Sequence, residues 1–89
     1  MTTFSLDLVK DIASRSALEL RPACLRGRLH AVPLGRAMAI CGHVPTFEWL
    51  EPSSLAESRN GVCSPCRTLL TRAGYYVSWA GVIAQEPAS

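Results

Sequence analysis

The chain has 89 residues, a formal net charge of +2, 48% apolar residues and 18% charged ones. That length allows one domain, residues 1–89, burying only about 60–65% of the surface its unfolded chain exposes, so it needs disulfides, a metal or oligomerisation to be stable. The composition excludes a disordered tail, and the small net charge argues against binding dominated by attraction to nucleic acid.

Residues 5–20 read as an amphipathic helix. Thr3 or Ser5 caps its start, and Asp7 lies in the first turn, where the helix dipole favours negative charge. Leu6, Val9, Ala13, Ala17 and Leu20 fall on one stripe, with Leu8 and Ile12 widening it. Asp11, Arg15 and Glu19 step by four along the opposite face, and Pro22 forces an end. Such a helix suits a lid on the core, with a partner-binding helix as the rival reading.

The charges at Asp7, Lys10, Asp11 and Arg15 are unlike a secretory signal. The longest apolar stretch, Tyr75 to Ala84, is about half the roughly 18 residues of a membrane span. A cytoplasmic chain without a membrane partner is therefore expected. Four cysteines in a reducing compartment read as metal ligands before they read as disulfides.

Residues 27–41 read as a β-hairpin turning at Pro33-Leu34-Gly35. A loop of Pro33 to Arg36 would pair residue 30 with 39 and residue 28 with 41, placing His30 and Cys41 on one face. A loop one residue shorter would put them on opposite faces. A shared site then requires the longer loop, a bulge, or Cys41 lying beyond the ladder.

Residues 42–61 are rich in Gly, Pro and Ser and read as a connection, with Ser53 or Ser54 capping a short helical turn through Glu57 and Ser58. Phe47 and Trp49 are expected to pack back onto the core. Cys63-Ser64-Pro65-Cys66 opens a second helix running to about Ala73 and stopped by Gly74, with proline early and glycine late. Tyr75 to Ala84, rich in β-branched and aromatic residues, reads as one closing strand. The fold class expected is α+β: a small zinc-stabilised domain with an N-terminal helix (5–20), a zinc-binding core (27–70) and a C-terminal strand (75–84).

The chemistry concentrates in four residues. Zinc takes four soft or borderline donors in a tetrahedron, and Cys63 and Cys66 have the spacing of a two-ligand knuckle. Their thiolates would lie at a helix N-terminus, where free N–H groups favour negative sulfur. His30 and Cys41 supply a second pair, giving the pattern H-x10-C-x21-C-x2-C. Two competitors stay open: Cys24 could replace His30, although an isolated cysteine is more often a small buried hydrophobe, and His43 could replace Cys41.

The run His30 … Ala39-Ile40-Cys41-Gly42 … Gly61-Val62-Cys63-Ser64-Pro65-Cys66-Arg67-Thr68-Leu69-Leu70 resembles the small zinc-finger-like proteins of actinobacteria and their phages. The resemblance covers about residues 28–70 and implies His30, Cys41, Cys63 and Cys66 as ligands of one structural zinc ion. It says little about function.

Three functions are expected. A non-enzymatic zinc-stabilised adaptor or regulator, bound to a protein partner such as a component of the transcription or translation machinery, fits a chain with no catalytic motif. A nucleic-acid binder would use Arg21, Arg26, Arg28 and Arg36, which lie in a stretch without acids between Glu19 and Glu48. A thiol oxidoreductase would use Cys63 and Cys66, but that chemistry belongs early in a βαβ unit and only 23 residues follow Cys66. No small-molecule substrate is implied.

Overall fold

Ser5 starts the first helix as expected. In the computed structural model, which describes residues 4–15, 17–25, 27–53, 55, 57–58, 60–78 and 81–84, its hydroxyl accepts the Leu8 N–H at 3.2 Å. The helix, α1, spans Leu6–Ser14 and buries Val9 and Ile12. Asp11 and Arg15 form the expected ion pair at 3.2 Å.

The helix does not continue to residue 20. The Arg15 and Ala17 N–H groups both fold back onto the Ile12 carbonyl, and Leu18–Pro22 is a strand, β1. Leu18-Glu19-Leu20-Arg21 satisfies a period of two as well as a helical stripe, and pairing with a second strand decides between them. Leu20 is buried, while Glu19 bonds to Arg21 instead of extending the helical ion ladder.

That second strand, β2, spans Leu29–Pro33 and pairs antiparallel with β1, from Leu18 opposite Pro33 to Pro22 opposite Leu29. The expected pairing of residues 28–32 with 37–41 is thus replaced: His30 faces Arg21, not residue 39. The turn at Pro33 does form, closed by Arg36 N–H to the Pro33 carbonyl at 3.1 Å, with Gly35 at φ 77°. Past this turn residues 37–41 form no strand, and Ile40 alone ties their backbone to β2 by donating to the Ala31 carbonyl.

Short segments flank the hairpin on both sides. Leu50 and Ser53 donate to the Pro22 and Leu20 carbonyls of β1. On β2, Ile40 N–H donates to the Ala31 carbonyl at 2.9 Å, and Leu29 exchanges bonds with Gly61 and Cys63. Where a short helical turn through Glu57 and Ser58 is expected, Ser58 N–H donates to the Leu55 carbonyl, and the candidate cap Ser54 lies outside the described residues.

The second helix, α2, spans Ser64–Arg72 with Cys63 as its N-cap and Pro65 in the first turn. Gly74, at φ 90°, lets the chain reverse after it. The expected single closing strand is instead two: β3, Tyr75–Ser78, pairs antiparallel with β4, Gly81–Ala84. The fold is α+β, with two helices and two two-stranded sheets among the described residues.

One apolar cluster joins these elements. Val9 of α1, Leu29 of β2, Ile40 of the irregular chain and Leu70 and Cys66 of α2 are its largest fully buried members. Tyr75, Val77 and Val82 pack against it half-buried, whereas Tyr76 is exposed. Trp79 lies outside the described residues.

Candidate metal centre

Three separate pieces of backbone converge on one point. The bond from Ile40 to Ala31 lays residues 39–41 alongside β2, so Cys41 arrives beside His30 without belonging to a hairpin ladder. This is the arrangement in which Cys41 lies beyond the ladder. Gly42, at φ 90°, then lets the chain turn sharply, and the Ala39 N–H closes the loop onto the His43 carbonyl at 3.0 Å. The Leu29–Cys63 bond brings the start of α2 to the same place.

The donor atoms of His30, Cys41, Cys63 and Cys66 all lie within 4.8 Å of one another. Cys41 Sγ is 3.5 Å and Cys66 Sγ 4.0 Å from His30 Nδ1, and Cys63 Sγ is 3.9 Å from Cys41 Sγ. A tetrahedral zinc ion would set its sulfurs about 3.8 Å apart, and sulfur from nitrogen about 3.6 Å apart. The four side chains therefore fit around one metal ion, with Nδ1 as the ligating nitrogen.

The backbone treats the sulfurs as bearers of negative charge. Cys41 accepts the His43 amide, Cys63 accepts the Cys66 amide at 3.4 Å, and Cys66 accepts the Ala31 amide at 3.4 Å. Each sulfur thus has an N–H donor while buried in apolar surroundings, where a thiolate would otherwise be strongly disfavoured. Donation by the Cys66 thiol holds Cys63 down at about 4, helped by His30. The same hydrogen bond, reinforced by burial, raises Cys66 well above the usual thiol range, and burial raises Cys41. A divalent cation bound among the three sulfurs would displace their thiol protons, which links metal binding to thiol ionisation.

The half-buried His30 ring has two aromatic neighbours. His43 stacks on it with ring centroids 4.5 Å apart and planes 7° from parallel, and Trp49 stands against both rings. Trp49 packs inward as expected; Phe47 does not, at 94% exposed. The sequence offers His43 only as a rival ligand, and this contact is not anticipated. Its position just past Cys41-Gly42 is the available signal, since a tight turn there returns the chain towards His30.

Cys24 takes no part. It is exposed, not the buried hydrophobe expected, in a turn where Gly27 N–H bonds to its carbonyl and a Cβ on Gly27 would sit 2.8 Å from its sulfur. The arginines do not share one role either. Arg21 is held by Glu19 at 2.7 Å, Arg36 lies 5.4 Å over the Phe4 ring, Arg28 is exposed, and Arg26 lies outside the described residues. No described helix is long and apolar enough to cross a membrane.

Comparison with protein-family models, curated proteins and solved structures finds no match to this chain.

Proposed function

We propose that this chain is a small non-enzymatic domain closed by one structural zinc ion, acting as a protein-binding adaptor or regulator. The observation that carries the reading is the convergence of one imidazole and three thiol donors, each within 4.8 Å of the others. Three sulfurs with one nitrogen in a tetrahedral set suit zinc before harder cations. Four protein donors leave no coordination position for water, which favours a structural over a catalytic role.

Support for protein binding comes from the loop leaving the metal centre. It carries Val44 at 53% and Phe47 at 94% exposure. An aromatic side chain held that far out of the core is the kind of anchor that fills a partner's pocket. The nucleic-acid reading has less support, since the Arg21 guanidinium is neutralised by Glu19 and Arg36 covers Phe4. The oxidoreductase reading also has less, because Cys63 and Cys66 are only 7% and 0% exposed.

The purified chain should carry one zinc ion, measured by elemental analysis. Affinity capture from a host lysate should recover a specific partner that a zinc-loaded Phe47→Asp variant does not recover. Equal recovery by both forms overturns the assigned surface, and a chain without zinc overturns the reading as a whole.

A further inference from the structure

We propose that His43 and Trp49 are positioning residues that clamp the His30 ring so that Nδ1 meets the metal. The proposal rests on the zinc reading and adds what makes His30 a competent ligand. A ligating histidine ordinarily donates its second ring N–H to a carboxylate or carbonyl, which fixes both tautomer and ring orientation. Among the described residues the His30 ring bonds to cysteine sulfurs, through Nδ1 to Cys41 and Cys66 and also to Cys63, and to no carboxylate or carbonyl. Rotation about the bond that sets a histidine ring plane is soft. Something else must hold it.

The two aromatic neighbours meet that need from two directions. His43 lies flat on His30 at 4.5 Å and 7°, so turning the His30 ring breaks the stack. Trp49 stands at 54° to His30 and 61° to His43, bracing the edges of both. Neither brace is loose. Trp49 Nε1 donates to the Ala37 carbonyl at 2.7 Å, and the His43 carbonyl accepts Ala39 N–H at 3.0 Å. The His43 amide also bonds to the Cys41 sulfur, so one residue steadies two ligands, one through its backbone and one through its ring. His43 is not among the four clustered donors.

The test is zinc affinity of the full chain, by competition with a chromophoric chelator, together with the absorption spectrum of the cobalt-substituted form. His43→Ala and Trp49→Ala should each weaken zinc binding about 10- to 100-fold, the range of supporting-shell losses. They should also weaken the cobalt bands that report tetrahedral geometry. His43→Phe keeps a flat ring and should bind within about threefold of wild type. Wild-type affinity in His43→Ala overturns the clamp. So does a loss in His43→Phe as large as in His43→Ala, which would make His43 a ligand. If an alanine variant fails to fold, Trp49→Phe carries the test: it keeps the ring, drops the Ala37 bond, and should show an intermediate loss, while no loss overturns the proposal. Failure of the wild type to bind zinc is a separate result, overturning the metal reading itself.

Discussion

Cys66 has no exposed surface, yet its sulfur accepts an amide from β2 and lies 4.0 Å from His30 Nδ1. Exchanging a sulfur so arranged for a hydroxyl removes one of the four clustered donors that a zinc ion would need. Cys66→Ser and Cys63→Ser should lose zinc and most of the folded population by circular dichroism. Cys24→Ser should keep one zinc ion and the wild-type melting temperature, because Cys24 is exposed and outside the cluster. The four clustered donors are legible in the sequence because donor chemistry and spacing are properties of residues. The stacking of His43 on His30 is not, since it depends on a turn at Gly42 that only the folded chain displays.

Among the elements, the metal loops lie on a packed base. Leu70 of α2 is fully buried in the cluster that also holds Cys66, so Leu70→Ala should cost about 2–5 kcal/mol in denaturant unfolding of the zinc form. Ser5→Ala removes the α1 cap and should cost about 1 kcal/mol, with zinc content unchanged. Sequence patterns find α2 and both ends of its punctuation, Pro65 and Gly74, because those signals are local. They misjudge residues 18–20, which suit either period, and the partner of β2, which is chosen by long-range contacts that no local pattern encodes. Tyr75–Ala84 is recognisable as extended but not as two paired strands.

Across the whole molecule, a radius of gyration of 12.1 Å equals that of a compact domain of this length, yet the apolar cluster is small and includes three cysteines. A zinc ion held by the four donors would supply much of the stability, since metal-binding energy in such domains is largely folding energy. Excess chelator should abolish the cooperative thermal transition, and added zinc should restore it with a melting temperature that rises with free zinc. A transition unmoved by chelation would mean that packing alone suffices.

Zinc K-edge X-ray absorption of the purified protein reads the coordination shell itself. Three sulfur scatterers at about 2.3 Å and one nitrogen at about 2.0 Å are expected, with the nitrogen shell lost in His30→Ala. Four sulfurs, or a nitrogen shell that survives His30→Ala unchanged, would contradict the centre built from His30, Cys41, Cys63 and Cys66.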